Sequence, residues 1–212
     1  MPFASRNRLA TFALSALTAT LLASCGPNAT SGEAGQAGSR TVSSGTAELG
    51  GPFTLVDDTG AVVTEAAFEG TPTLLYFGFT YCPDVCPTAL QKLGAAQERM
   101  GDYGNDVQYV LVSVDPERDT PEQMATYIGN NGFPDGLRGF TGTVDQIETI
   151  KTAYKVYAQK VDMDESAMGY TVDHQDLVFL LGRDGQFVDF FTNRSTPTEI
   201  AARTRQYLTR GR

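Results

Sequence analysis

Residues 73–87 have the sequence TLLYFGFTYCPDVCP, a continuous apolar run followed at once by two cysteines four positions apart. An apolar run of this length is typical of a strand that is buried on both faces, as in a parallel sheet. VQYVLVSV at 107–114 is a second run of the same kind. The sequence therefore predicts an α/β domain in which Cys82 and Cys86 lie where a central strand passes into a helix.

Helix signals follow the two apolar runs and recur to the end of the chain. The first helix is predicted from about Pro87 to Gly101, where the helical spacing of apolar residues stops. Three more helices are predicted after Thr120, Thr143 and Thr196, because each threonine has a glutamine or glutamate three residues later.

Two hairpins complete the pattern. FTLVD at 53–57 with VVTEAAF at 62–68 predicts an N-terminal β-hairpin, and DLVFLL at 176–181 with QFVDFF at 186–191 predicts a second. The order of elements after the first hairpin is strand, helix, strand, helix, helix, hairpin, helix. With a cysteine pair after the first central strand, this order predicts a thioredoxin-like fold, with a central mixed sheet flanked by helices.

The cysteine pair allows three interpretations: a structural disulfide, a redox couple or two thiolate ligands of a metal. The free N–H groups of a helix that begins near Pro87 favour a thiolate at Cys86 and in the preceding loop. An inert disulfide usually closes a longer loop than this one. Redox pairs usually have two intervening residues, whereas Cys82 and Cys86 have three. The wider gap still lets the sulfurs meet and leaves room for an ion between them.

His174 is the only histidine of the chain, and it lies just before the first strand of the second predicted hairpin. A lone histidine is more often a surface or core residue than a ligand. In a thioredoxin-like fold, however, the loop that enters this strand faces the cysteine site. Two thiolates and one imidazole form a soft set of three donors that suits copper(I) and can hold copper(II) with an added oxygen ligand. Zinc normally has a fourth protein ligand in a structural site.

The N-terminal part of the chain predicts export and a membrane anchor. Residues 1–24 have the pattern of a secretory signal, and Leu-Ala-Ser before Cys25 resembles a bacterial lipobox, where the cysteine is lipidated after cleavage. The alternative is a plain secretory signal cleaved near Ala23. Residues 25–49 are low in complexity and predict a flexible tether, and 50–212 predict the domain. The expected location is the periplasmic or other extracytoplasmic face of a membrane.

The charge of the mature chain bears on two classes of partner, nucleic acid and anionic lipid. Without residues 1–24, 14 of the 16 basic side chains remain against all 25 acidic ones, a net charge of −11. A surface this acidic argues against binding to nucleic acid or anionic lipid.

Three separated segments resemble the Sco (SenC-type) family: FGFTYCPDVCP at 77–87, SVDPERDTP at 113–121 and YTVDH at 170–174. The resemblance covers about residues 50–210. It implies a thioredoxin-like domain, tethered to a membrane, that binds copper as Cu(I) and Cu(II). The ligands that it implies are Cys82, Cys86 and His174.

The resemblance also implies a role in maturing the dinuclear copper (CuA) centre of cytochrome c oxidase, by delivering copper, by reducing the cysteines of the target, or by both. The implied partner is the oxidase subunit that carries this centre, with a periplasmic copper chaperone and a thioredoxin-like reductase as further candidates. Such a protein is a chaperone rather than an enzyme. The main alternative is a membrane-tethered thiol–disulfide oxidoreductase. A peroxidase of the same superfamily is less favoured, because no arginine is near Cys82 in sequence.

Three aspartates are candidates for positions outside the ligand set, where a carboxylate could hydrogen-bond to a ligand residue or contact a partner. Asp115 and Asp119 follow the second buried strand, at the end where an α/β sheet gathers its site. They are candidate outer carboxylates or partner contacts, but a turn-forming Asp-Pro and a solvated acid are the favoured interpretation. Asp173 could orient the imidazole of His174, although adjacent residues of a strand point in opposite directions.

Overall fold

A computed structural model describes residues 48–163 and 168–210 of the 212-residue chain. The predicted signal at 1–24, Cys25 and nearly all of the predicted tether lie outside the described residues, so these remain predictions. Within the two described ranges, no helix is long and apolar enough to cross a bilayer.

The described residues form strands and helices that alternate along the chain. The strands are β1 Thr54–Asp57, β2 Val62–Thr64, β3 Thr73–Gly78, β4 Gln108–Ser113, β5 Arg138–Thr141, β6 Ala158–Asp162, β7 Tyr170–His174, β8 Leu177–Leu181 and β9 Phe187–Thr192. The helices are α1 Val85–Met100, α2 Pro121–Ile128, α3 Val144–Ala153 and α4 Pro197–Arg210. Short 3-10 helices cover Glu65–Phe68 and Gly101–Asp106.

Seven of the strands form one mixed sheet in the order β2-β1-β5-β4-β3-β8-β9. The central strands β3, β4 and β5 are parallel, whereas β1, β8 and β9 are joined to the sheet by antiparallel pairing. Helix α1 packs against α4, α2 against β5, and α3 against β1. The prediction of a central mixed sheet flanked by helices, with an N-terminal hairpin β1–β2, is confirmed.

The pairing of β3 with β4 determines where the site forms. The two strands are in register from Thr73 opposite Gln108 to Gly78 opposite Ser113, so their carboxyl ends lie at the same edge of the sheet. Every residue of β3 is buried, as its apolar sequence predicts. The segment that carries the cysteines and the segment that carries Asp115 and Asp119 both leave the sheet at this edge.

A second sheet, made of β6 and β7 alone, is not hydrogen-bonded to the seven-stranded sheet. Its register runs from Ala158 opposite His174 to Asp162 opposite Tyr170. The sequence analysis missed this hairpin because most of its side chains are not buried, so neither strand contains an apolar run. It also missed β5, a strand of four residues. The sequence analysis placed His174 in a loop, but it is the last residue of β7.

Some predicted boundaries are also wrong. The predicted second strand of the first hairpin stops at Thr64, because 65–68 turn into a 3-10 helix. For helix α3 the sequence analysis predicted no end; the helix ends at Ala153, and Lys155 adopts a positive φ of 53° that an α-helix cannot contain. Helices α2, α3 and α4 each begin at the residue after the predicted capping threonine, as expected.

Candidate metal centre

The structure brings Cys82, Cys86 and His174 together. Their ligand atoms all lie within 4.8 Å of one another, and Sγ of Cys86 is 3.4 Å from Nε2 of His174. Cys82 lies in the loop that follows β3, Cys86 in the first turn of α1, and His174 at the end of β7. Three separate elements thus each contribute one donor atom to the cluster.

The N-terminus of α1 acts mainly on Cys82. The helix begins at Val85, two residues earlier than predicted, and the backbone N–H of Cys86 points to Sγ of Cys82 at 3.3 Å. The pKa of the Cys82 thiol is lowered to about 4, chiefly by a hydrogen bond from the Cys86 side chain and further by backbone N–H groups, against the effect of burial. The sequence analysis expected a thiolate at Cys86 and in the loop before it; the structure favours the thiolate at Cys82, in that loop, and not at Cys86.

Cys86 has the opposite character. Its side chain is fully buried, and the pKa of its thiol lies far above the usual range, because of its hydrogen bond to Cys82 and then because of its burial. In the absence of a cation, the pair therefore holds one thiolate and one thiol. A cation between the two sulfurs would favour deprotonation of both, since thiolates are the metal ligands.

The sulfur of Cys86 approaches the sheet closely at Gly78. A Cβ atom at this position would lie 3.0 Å from Sγ of Cys86 and 2.9 Å from Cε1 of Tyr76, so only glycine fits without a shift of its neighbours.

The hydroxyl of Tyr76 is buried and has no hydrogen-bond partner among the described residues. The pKa of this phenol is raised, mainly by burial and next by Cys86 and Asp176.

The imidazole of His174 is oriented by a backbone carbonyl. Its Nδ1 lies 3.1 Å from the carbonyl oxygen of Gln175, a contact that assigns the proton to Nδ1 and leaves the lone pair of Nε2 facing the sulfurs. The rings of Phe79 and Tyr76 pack edge-on against it, with centroids 5.8 Å and 6.2 Å away. Asp173 is exposed, and the acceptor for Nδ1 of His174 is the carbonyl oxygen of Gln175 rather than the carboxylate of Asp173.

Asp119 is a buried carboxylate, so its favoured interpretation as a solvated acid is wrong. It has no exposed surface. Its oxygens accept hydrogen bonds from the hydroxyls of Thr80 and Ser113, each at 2.6 Å, and from the backbone N–H of Thr80. Burial raises the pKa of this carboxyl, and these hydrogen bonds oppose the shift. Asp119 thereby fixes the backbone two residues before Cys82.

Asp115 is also buried and joins a network that the sequence analysis did not identify. One oxygen pairs with Nε of Arg118 at 2.5 Å, and the other accepts a hydrogen bond from the hydroxyl of Tyr170 at 2.8 Å. The guanidinium of Arg118 lies 3.7 Å from the centre of the Tyr170 ring. Arg118 is part of the segment SVDPERDTP, and only the fold shows that it reaches β7.

The cluster has the donor set of a soft metal site. It offers two sulfurs and one imidazole nitrogen, a combination that suits copper and leaves a tetrahedral zinc site one protein ligand short. Cys82 and His174 are each partly exposed. The cluster therefore lies near the protein surface, on the side of His174.

Comparison with known proteins identifies the family of this chain. The SCO1/SenC family model matches residues 41–209. The mitochondrial SCO1 homolog 1 of Arabidopsis thaliana is 43% identical over 150 residues, which are 70% of this chain and 44% of that protein. This chain spans about half the length of the curated relatives it matches, such as the human SCO1 homolog at 51%.

Solved structures give the same result. The chain is similar to ScoI of Bradyrhizobium japonicum with copper bound, at 43% identity and a TM-score of 0.67, with 75% of this chain and 99% of that one covered. It is also similar to BsSco, described as having a disulfide switch and as a member of the Sco family of cytochrome c oxidase assembly proteins. That match has 26% identity and a TM-score of 0.59, with 75% of this chain and 92% of that one covered.

Proposed function

The chain belongs to the SCO1/SenC family, and from this membership we propose that it is a copper-binding assembly factor for cytochrome c oxidase. Two relatives support the proposal. One was solved with copper bound, and another is described as a member of a family of cytochrome c oxidase assembly proteins. In this proposal Cys82, Cys86 and His174 are the copper ligands.

The convergence of three donor atoms within 4.8 Å is the observation that carries the proposal. Two thiolates are sufficient for copper(I), which is soft and has no geometric preference from its filled d shell. Copper(II) prefers more donors, nitrogen among them. Nε2 of His174 faces Sγ of Cys86 at 3.4 Å, so the site can serve both oxidation states.

More specifically, the protein would deliver copper to the CuA centre of the oxidase. Its target is the subunit that carries the dinuclear centre, and a periplasmic copper chaperone is a candidate donor. The partial exposure of Cys82 and His174 supports transfer by ligand exchange, because a partner's thiolate can reach the ion from that side.

A second candidate function is reduction of the target cysteines, and the opposite pKa shifts of the two thiols favour it. The Cys82 thiolate would attack a target disulfide, forming a mixed disulfide and releasing one target thiolate. Cys86 would then attack Sγ of Cys82, and its proton would pass to the second departing thiolate. Two electrons move to the target and the Cys82–Cys86 disulfide forms. A thioredoxin-like reductase would restore the thiols.

We also propose attachment to the extracytoplasmic, periplasmic face of a membrane through a lipid on Cys25. The support for this part is the lipobox-like sequence before Cys25 and the low complexity of 25–49.

Copper binding by the domain in two redox states tests the proposed function. The domain is prepared without residues 1–47, either reduced or with Cys82 and Cys86 oxidised to a disulfide. We expect about one copper ion per reduced molecule and none in the oxidised protein, because a disulfide offers no thiolate. Full copper occupancy in the oxidised protein would exclude the proposed site.

A further inference from the structure

The β6–β7 hairpin carries His174, yet it is not hydrogen-bonded to the seven-stranded sheet from which the cysteines emerge. Side-chain contacts therefore help to determine how closely the imidazole approaches the two sulfurs, together with the short link from His174 to Leu177 of β8. One contact is made by Lys151 of α3, whose Nζ donates to the carbonyl oxygen of Ala158 at 3.2 Å. A second is the ion pair of Lys160, in β6, with Glu117 at 2.7 Å. Most of the contacts to β7 are made by Arg118, in the segment between β4 and α2.

Arg118 holds the β7 side of the hairpin by its backbone. Its Nη1 donates to the carbonyl oxygens of Tyr170 at 3.2 Å and Met168 at 3.4 Å. Its Nε pairs with Asp115, which also accepts a hydrogen bond from the hydroxyl of Tyr170. The guanidinium lies 3.7 Å from the centre of the Tyr170 ring. A planar group with several donors is needed for this combination of contacts, and lysine cannot provide it.

The same guanidinium faces the loop that carries Cys82. It lies 4.9 Å from the centre of the Tyr81 ring and 5.9 Å from that of Phe79. Tyr81 is the neighbour of Cys82 in sequence, and the Phe79 ring packs against the imidazole of His174 with centroids 5.8 Å apart. Arg118 thus contacts the loop that carries Cys82 and the strand that carries His174, although it is not a ligand itself.

We propose that Arg118 is a positioning residue for His174: it fastens the β6–β7 hairpin to the Cys82 loop and so keeps the imidazole beside the two sulfurs. The side chain of Arg118 is 15% exposed and that of Asp115 is 4% exposed, so water competes weakly for these contacts. The consequence for copper rests on the proposed function, whereas the consequence for the hairpin does not.

The first measurement needs no metal. Amide hydrogen exchange is followed in the full chain without copper, for the parent protein and for Arg118→Lys. Arg138→Lys is the matched control. Arg138 also forms an ion pair, with Asp57, and lies over an aromatic ring, that of Phe140. It is the first residue of β5, away from the edge of the sheet where the site lies. We expect exchange in β6 and β7 to quicken by at least about tenfold in Arg118→Lys and not in the control.

The second measurement compares the two oxidation states of copper. Arg118→Lys should weaken copper(II) by about tenfold or more and copper(I) by less than about threefold, because the thiolates stay in place while the imidazole is loosened. A general loss of stability would not produce this difference. Equal losses for both states, or hairpin exchange that matches the parent, would overturn the proposal.

A second pair of variants keeps the test decisive if Arg118→Lys folds poorly. Tyr170→Phe retains the ring that stacks on Arg118, and Tyr170→Leu removes it. Tyr170→Phe should stay within about threefold of the parent in hairpin exchange, and Tyr170→Leu should quicken it by at least about tenfold. Identical behaviour of the two variants would contradict the proposal. If the parent binds no copper, the proposed function fails, and hydrogen exchange alone decides the role of Arg118.

Discussion

Sγ of Cys86 lies 3.4 Å from Nε2 of His174, although 88 positions of sequence separate the two residues. Cys86 is held by α1, directly after the central strand β3, whereas His174 belongs to a separate two-stranded sheet. The donor set is thus assembled from two parts of the fold. The imidazole can therefore be removed while the pair of thiols stays in place.

Replacement of His174 by alanine should separate the two copper states. Copper(I) keeps both thiolates, so we expect its affinity to fall by about tenfold. Copper(II) loses its imidazole ligand, so the affinity of the protein for copper(II) should fall by more than about 100-fold. That loss is larger than the loss typical for a residue that only hydrogen-bonds to a ligand. Affinities in each oxidation state, with the copper(II) absorption bands followed over time, provide the measurement.

The matched control for this prediction is Asp173→Ala, a change at the adjacent, exposed position of β7. It should leave both affinities near those of the parent. If His174→Ala bound copper(II) as tightly as the parent, His174 would not be a ligand, and the thiol–disulfide oxidoreductase would become the better hypothesis.

The reactivity of Cys82 should persist at acidic pH. Its pKa of about 4 keeps it a thiolate from pH 5 to 8, so its alkylation rate should be nearly constant there and fall only as pH approaches 4. Peptide mass spectrometry of the reduced protein after iodoacetamide treatment distinguishes Cys82 from the buried Cys86. A rate that climbs tenfold per pH unit up to about pH 8 would indicate an ordinary thiol instead.

Gly78→Ala should disturb both the core and the site. Its Cβ would lie 3.0 Å from Sγ of Cys86 and 2.9 Å from the Tyr76 ring, so we expect the free energy of unfolding to fall by about 1–3 kcal/mol and copper affinity to fall with it. Chemical denaturation provides the measurement. Gly129→Ala is the control, because its Cβ would make ordinary contacts at 3.7 Å and 3.8 Å; equal effects of the two changes would contradict the account.

Cys25→Ser should release the protein from membranes if Cys25 is lipidated, while the domain stays folded and able to bind copper. Fractionation of cells that express the parent and the variant, followed by washing of the membranes, measures this. Retention of Cys25→Ser in washed membranes would refute the lipid anchor and favour an uncleaved signal as the anchor.

The α/β fold could be predicted because the residues that define it are locally distinctive. The buried strands β3 and β4 are continuous apolar runs, and capping threonines precede three of the helices. The β6–β7 hairpin could not be predicted in the same way. Most of its side chains are not buried, so no apolar pattern distinguishes its strands from a loop.

The three donor residues could be proposed from sequence because cysteine and histidine are rare in this chain. The groups that surround them could not. Asp119 has no exposed surface and binds Thr80 across 39 positions of sequence, and Arg118 reaches the carbonyl of Tyr170 across 52. Neither contact has a local signature, because each depends on which strand ends meet at one edge of the sheet.

The ligands of bound copper test the central claim most directly. X-ray absorption spectroscopy of the copper-loaded domain measures the donor atoms around the ion. We predict two sulfur donors in both oxidation states and one imidazole in the copper(II) form, with the imidazole signal lost in His174→Ala. Copper surrounded by oxygen or nitrogen alone would mean adventitious binding to the acidic surface, and it would contradict the assignment of Cys82, Cys86 and His174 as a copper site.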